Sequence, residues 1–291
     1  MRGVRRRLLG IGAGALAGRV LPGCASAPDA EPAPASGTGR RLFDCHCHII
    51  DPRFPLVVNQ GYLPPAYTLD DYRAQTLSLG VRSGVVVSGS FHGFDQACLR
   101  DALARLGPEW AGVAQVPGDI ADAEIASLAA AGVRGLRFNL YRGRIDSVDD
   151  IVALANRVHG VARWHAEIYA DAAALRPHVA RLAKLPHLVV DHLGMSAAGL
   201  PALLDLVDAG ARVKATGFGR VEMDVPAALE AIAGRDPAAL MFGTDLPSTR
   251  ARRPFTVADI DLIERVLGAD LAPRALWSNA RATYRLPASR G

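Results

Sequence analysis

The sequence predicts an α/β protein built as a single (β/α)8 barrel, a TIM barrel. Three observations carry this. Eight short apolar runs recur between residues 42 and 242, helix-like amphipathic stretches separate most of them, and the part of the chain after residue 41 has the size of one such barrel, about 250 residues. An open doubly wound sheet is the structural alternative, but no Gly-x-Gly-x-x-Gly follows an early strand.

The strands expected in order are 42–46, 83–88, 110–116, 135–139, 165–170, 188–191, 212–215 and 240–242. Helical periodicity is clearest over 119–131, 149–161, 172–185 and 200–209. Half of the 291 residues are hydrophobic and no second composition regime appears, so residues 42–288 are expected to form one catalytic domain.

Residues 1–24 have a different character. Arg5-Arg6-Arg7-Leu8-Leu9 opens an apolar stretch to Gly18 that is too short to span a bilayer. The paired arginines resemble a twin-arginine export signal, and Leu21-Pro22-Gly23-Cys24 resembles a lipobox in which Cys24 is lipidated. Pro22 is unusual there and Arg19 interrupts the apolar run. The expectation is an exported protein of the periplasm or cell envelope, touching membrane only through a lipid on Cys24. A disordered basic tail on a cytoplasmic enzyme is the plainer alternative. Residues 25–41, rich in Ala, Pro, Ser and Gly, read as a tether.

The formal charge of +4 invites a nucleic-acid partner, but its placement argues against one. Arg2, Arg5, Arg6, Arg7 and Arg19 all precede Cys24 with no acidic residue among them, and without those five the formal charge is −1. No nucleic-acid partner is expected. Cys24 aside, three cysteines remain. Cys45 and Cys47, two apart on one strand, are expected to share a face without bridging, and Cys98 has no evident partner.

Chemistry in such a barrel gathers where strands end and the following loops begin. Asp44-Cys45-His46-Cys47-His48 closes the first strand, and its two-residue period places Asp44, His46 and His48 on one face. Two imidazoles and a carboxylate aimed into a barrel mouth are costly to desolvate unless they bind or catalyse something. His192 ends the sixth strand, and Asp245 ends the eighth within Gly243-Thr244-Asp245-Leu246-Pro247, where Gly243 permits a close backbone approach. Closure would make the first and eighth strands neighbours. A strand-end Asp or His taken singly is more often a cap or a packed side chain; convergence favours a site.

Asp44-x-His46-x-His48, Asp191-His192-Leu193-Gly194 and Gly243-Thr244-Asp245-x-Pro247 resemble the motifs of the amidohydrolase superfamily, over residues 42–286. The strings Ser90-Phe91-His92-Gly93, Gly135-Leu136-Arg137-Phe138-Asn139, Trp164-His165 with Tyr169, and Val213-Lys214-Ala215-Thr216 are most similar to its 2-pyrone-4,6-dicarboxylate lactonase branch. That resemblance implies a hydrolase opening a carboxylate-bearing lactone. Asp245 would activate water, and His46, His48 and His192 would stabilise the oxyanion. It also implies that Arg137, one of Arg142 or Arg144, and Arg220 hold substrate carboxylates, with Tyr62, Ser90 and Tyr169 adding hydrogen bonds. Arg137 could point into the barrel or outward. Of the 33 basic residues 31 are Arg, so a loop arginine by itself says little.

Metal-dependent members of the superfamily usually add a Lys or Glu from the fourth strand and a His from the fifth. Asn139 and Tyr169 stand there, so a two-metal site lacks a bridge and a ligand. One zinc could be held by His46, His48 and Asp245, with His192 close by; the branch resemblance implies that no cofactor is required. Two alternatives remain: a mononuclear zinc amidohydrolase or decarboxylase on the same fold, and a lipid-anchored carboxylate-binding protein without turnover. His92 is a candidate for the pocket wall, and Arg250, Arg252 and Arg253 could extend an anion site. His159, His178 and His187 are expected to be structural or at the surface, and Trp110 and Trp277 to pack.

Overall fold

The protein is described by a computed structural model, in which residues 39–142 and 147–286 are placed. The signal, Cys24, nearly all of the tether, and Arg144 lie outside the described residues.

Eight strands form one parallel sheet in sequence order: β1 (Leu42–Cys47), β2 (Val81–Val87), β3 (Trp110–Ala114), β4 (Val133–Asn139), β5 (His165–Tyr169), β6 (Leu188–Val190), β7 (Arg212–Ala215) and β8 (Leu240–Phe242). The ends of the sheet meet. Asp245 N donates to His46 O at 2.7 Å and His48 N to Leu246 O at 2.8 Å, so the chain just past β8 is stitched to the end of β1. The expected barrel is therefore the observed one.

The helices begin where short polar side chains can satisfy their free N–H groups. Thr68 and Asp71 form a capping box before Leu69–Thr76, Ser147 accepts from Asp150 N before Val148–Ala162, and Asp224 accepts from Ala227 N before Val225–Arg235. Helices Asp122–Ala130, Val148–Ala162 and Leu200–Asp208 fall where periodicity placed them. The expected helix over 172–185 is instead broken into Ala172–Leu175, a 3-10 turn Arg176–His178, and Val179–Leu182. Pro177 explains the break, since it has no N–H to give and its ring crowds the preceding turn.

Two apolar layers hold the barrel. Outside, residues such as Val86, Ile168, Val190 and Phe242 pack under the helices. Inside, Phe43, Cys45, Val85, Val113 and Met241 pack on Ala280 and Tyr284. The helix Asn279–Tyr284 thus reaches the barrel interior, with the Tyr284 ring stacked on Phe43 at 5.9 Å.

β1 departs from simple alternation. Its register with β2 shifts between Asp44 and Cys47. Cys45 therefore packs inside, while Cys47 joins the outer layer. Asp44 does not share a face with His46. Its carboxylate accepts from Tyr72 Oη at 2.8 Å and from Thr244 Oγ1 and N at 2.6 and 2.8 Å. A bulge adds one residue to one side of the ladder, which re-aims every side chain after it. The result is an Asp44 that anchors the turn carrying Asp245 while His46 and His48 both reach the interior. Among the described residues no helix is long and apolar enough to cross a membrane.

Candidate active site

His46 and His48 end β1, His192 follows β6 and Asp245 follows β8, and the structure brings all four together. His46 Nε2 lies 3.9 Å and His192 Nε2 4.0 Å from Asp245 Oδ1. The His46 ring is centred 5.0 Å from His48 and 4.8 Å from His192. All four residues are at most 4 % exposed. His192 (φ 51°) and Asp245 (φ 60°) both occupy the left-handed region, a conformation that costs about 1–3 kcal/mol outside glycine and gathers at functional sites.

The hydrogen bonds fix what each imidazole can do. His48 Nδ1 sits 2.7 Å from the Val87 carbonyl, which can only accept, so this nitrogen carries the proton and Nε2 of the neutral ring is an acceptor. His46 is the reverse case. Its Nδ1 lies 3.1 Å from Lys214 Nζ, a donor, and 3.5 Å from Asp191 Oδ1, an acceptor; the ammonium is the nearer, which favours the proton on Nε2, facing Asp245. Burial first, then the neighbouring charges (Lys214 for His46, the other imidazole for His48, Arg220 for His192), lowers all three histidines below their ordinary value. They stand neutral.

Asp245 divides its two oxygens. Arg220 Nε donates to Oδ2 at 2.8 Å, and Arg220 Nη2 donates to the same oxygen. Oδ1 and His46 Nε2 have no hydrogen-bond partner. A carboxylate acceptor and an imidazole donor thus face one another, 3.9 Å apart and without a partner.

Below this lies a buried ionic group. Lys214 Nζ donates to Glu167 Oε2 at 2.5 Å and stands 3.3 Å from Asp191 Oδ1, all three residues being fully buried. Glu167 also accepts from Tyr284 Oη at 2.6 Å and His165 Nε2 at 2.9 Å, and Asp191 Oδ2 accepts from Arg137 Nε at 3.1 Å. Burial would raise both carboxyls; the Lys214 ammonium outweighs it and holds them below their ordinary value. The same two anions keep Lys214 above its own ordinary value despite its burial. Sequence reading had Lys214 and Asp191 only inside matching strings, and missed Glu167. The signal was there: Glu167 stands between Ala166 and Ile168, and Lys214 between Val213 and Ala215, charges set between apolar neighbours within strands.

The cleft above is lined by every expected substrate-binding residue: Tyr62, Ser90, Arg137, Arg142, Tyr169 and Arg220. Arg137 points inward, its guanidinium carbon 5.0 Å from the Tyr169 ring centre. Asn139, where a metal bridge might have stood, accepts from Arg142 N at 3.0 Å and so fixes the loop. Arg250 joins the lining, 4.5 Å from the Tyr62 ring centre, whereas Arg252 and Arg253 pair with Glu222 and Asp259. His92 does not line the cleft. It accepts from Gly89 N on Nδ1 and bonds the Ile49 carbonyl through Nε2, which makes it a loop fastener. With these side chains in place the open space is about 30 Å3, the liquid-volume share of roughly one water. That space is smaller than a ring-sized ligand; Tyr62, Arg142 and Arg250 in its lining are half-buried.

His46, His48 and Asp245 offer ligand atoms within 4.8 Å of one another, as do His46, Asp191 and His192, so a His/Asp group able to meet a metal exists. The Lys214 contact opposes it. A metal on His46 Nε2 needs a lone pair there, which puts the ring proton on Nδ1, nearer the Lys214 ammonium at 3.1 Å than the Asp191 Oδ1 acceptor at 3.5 Å.

Comparison with known proteins places this geometry. The amidohydrolase family model matches residues 43–286. A 2-pyrone-4,6-dicarboxylate hydrolase of Comamonas testosteroni is 35% identical over 156 residues, 52% of this chain, and the match spans about half (51%) of that protein. A 4-sulfomuconolactone hydrolase of Rhizobium radiobacter is 30% identical over 269 residues, covering 82% of this chain and 86% of that one. Among solved structures, a 2-pyrone-4,6-dicarboxylic acid hydrolase candidate from Acinetobacter baumannii, with citric acid bound, superposes with a TM-score of 0.76. At 19% identity it covers 85% of this chain and 100% of its own, and it attests the fold.

Proposed function

The chain belongs to the amidohydrolase family, and from that premise we propose that it is a hydrolase that opens a carboxylate-bearing lactone without a required metal. The two relatives described above hydrolyse, by name, a 2-pyrone dicarboxylate and a sulfomuconolactone, and both named substrates carry anionic groups beside the ring. The observation that carries the reading is the pairing of an unpartnered Asp245 Oδ1 with an unpartnered His46 Nε2 under an arginine-lined cleft.

The reaction follows from these atoms. Arg137, Arg142 and Arg220 hold substrate carboxylates, with Tyr62, Ser90 and Tyr169 fixing the ring, and the closing mouth excludes water beyond the reacting one. Asp245 Oδ1 takes a proton from that water as its oxygen bonds to the lactone carbonyl carbon. The carbonyl oxygen becomes an oxyanion and receives the His46 Nε2 proton as a hydrogen bond, in the place a Lewis acid would take. His48 Nε2, an acceptor, holds the water. On collapse the ring C–O bond breaks, and the leaving oxygen takes the proton back from Asp245. His46 and His48, expected to act alike, thus have unlike duties.

The paired arginines and Cys24 further support export to the envelope and lipidation; Cys24→Ala is expected to move the chain from the membrane to the soluble fraction.

The deciding experiment is a screen of lactones with and without carboxylates, run on wild type and Asp245→Asn. Turnover of the anionic lactones by wild type alone is expected. Equal rates on neutral sugar lactones, or unchanged turnover in the variant, overturn the assignment. Binding without product in the wild type would favour the non-catalytic alternative.

A further inference from the structure

The cleft carries more positive charge than its acids answer. Of its lining arginines, Arg137 pairs with Asp191 and Arg220 with Asp245, and Lys214 below them is matched by Glu167. Arg142 and Arg250 line the same cleft, and among the described residues neither meets a carboxylate. Both are half-buried. Burial first, and then the like charge of Arg142, lowers the Arg250 guanidinium below its ordinary value, so the two cations feel one another. The loop after β8 supplies the contrast: Arg252 and Arg253, close neighbours of Arg250, pair with Glu222 and Asp259.

What fixes these two arginines is amide rather than acid. The turn Asn59–Tyr62 touches both. Asn59 Nδ2 and Gln60 Nε2 donate to the Arg142 carbonyl at 3.5 and 3.3 Å. Arg250 donates through Nη2 to the Asn59 carbonyl and through Nη1 to Gln60 Oε1 at 3.4 Å, with its guanidinium carbon 4.5 Å from the Tyr62 ring centre. Neutral partners position a guanidinium without cancelling its charge, and its five N–H groups exceed the two used here. Arg250 (φ 59°), like Asp245 and Ser248 (φ 60° and 61°), is left-handed, so the loop that presents the base delivers Arg250 through a backbone conformation that most residues avoid. We propose that Arg250 is a specificity-determining residue: with Arg142 it receives a second anionic group of the substrate, while Arg137 and Arg220 hold the first. This rests on the cleft being the lactone site. A monoanion leaves the outer two cations repelling one another; a dianion answers both pairs.

Calorimetric binding to the full chain tests this with isophthalate, an unreactive ring bearing two carboxylates, against benzoate, which bears one. Arg250→Gln keeps a donor for the Asn59 carbonyl and removes the charge. At an unchanged melting temperature it should weaken isophthalate by about tenfold or more and benzoate by less than about threefold, the loss of one charge-assisted hydrogen bond. Arg250→Lys, which keeps the charge and loses the fork, should fall between. If Arg250→Gln melts early, Arg250→Met, whose unbranched chain still covers the Tyr62 ring, supplies the comparison. Equal losses for the two ligands would make Arg250 a brace for the Tyr62 turn. That result, an unchanged isophthalate affinity, or a wild type that holds isophthalate no tighter than benzoate overturns the proposal. Isophthalate is not a lactone, so the outcome is independent of turnover. A selective loss in a protein that hydrolyses no lactone sinks the enzymatic reading and leaves the role of Arg250 standing; lactone turnover with equal losses does the reverse.

Discussion

Lys214 Nζ stands 3.1 Å from Nδ1 of His46, nearer than Asp191 Oδ1 at 3.5 Å, and that contact favours the donor tautomer of the first-strand histidine. Of the two lysines in the chain this one is wholly buried. A compact ammonium with three donors serves Glu167, Asp191 and His46 together, which the planar fork of an arginine could not do in that space.

Lys214→Met is expected to destabilise the protein by about 3–5 kcal/mol, because Glu167 and Asp191 would remain as buried anions without their shared cation. Adding Glu167→Leu should restore part of that loss, since Asp191 keeps Arg137. Urea unfolding of the single and double variants checks this; a double variant no more stable than the single would break the argument.

Asp245→Asn should lower kcat by about a hundredfold to ten-thousandfold, the usual worth of a general base. Affinity for a non-hydrolysable lactone analogue should change little, because the cleft arginines remain. Steady-state rates set beside calorimetric binding separate the two effects.

Stripping metal should leave the rate alone. If Lys214 holds the proton of His46 on Nε2, dialysis against a strong chelator should leave kcat/KM unchanged, with far less than one zinc per chain by elemental analysis. Stoichiometric zinc, with activity lost on its removal, would instead install the mononuclear metal mechanism.

Stability should fall on the acid side. His46, His48, His92 and His192 all have folded-state values below 6.5, His92 at about 4, each chiefly from burial. Below 6.5 the unfolded chain binds protons that the folded one refuses. The stabilisation is therefore complete above pH 6.5 and is lost as the pH falls toward the folded values, by up to about 1.4 kcal/mol per pH unit for each such histidine. His92→Gln, outside the site, should flatten the slope of unfolding free energy between pH 6 and pH 4.5 by about one proton.

Arg142→Ala should raise KM for an anionic lactone by about tenfold or more, the loss of one charge-assisted hydrogen bond, and leave a neutral lactone nearly untouched. A uniform effect on both would make Arg142 a loop brace, consistent with the hydrogen bonds its backbone accepts from Asn59 and Gln60.

The sequence by itself determined the barrel, the places where its strands end, and the convergence of His46, His48, His192 and Asp245 with the arginines of the cleft. Those features are written in local periods and in residues at strand ends, which one chain shows directly. The tertiary structure decided the rest. A register shift in β1 turned Asp44 from a site residue into an anchor, Pro177 cut one helix, and β5, β6 and β7 brought Glu167, Asp191 and Lys214 into contact. Ion pairs between strands and the tautomers they impose depend on register and closure, which no local pattern records. The His-x-His motif marked the centre; the lysine beneath it favours one nitrogen as the proton donor.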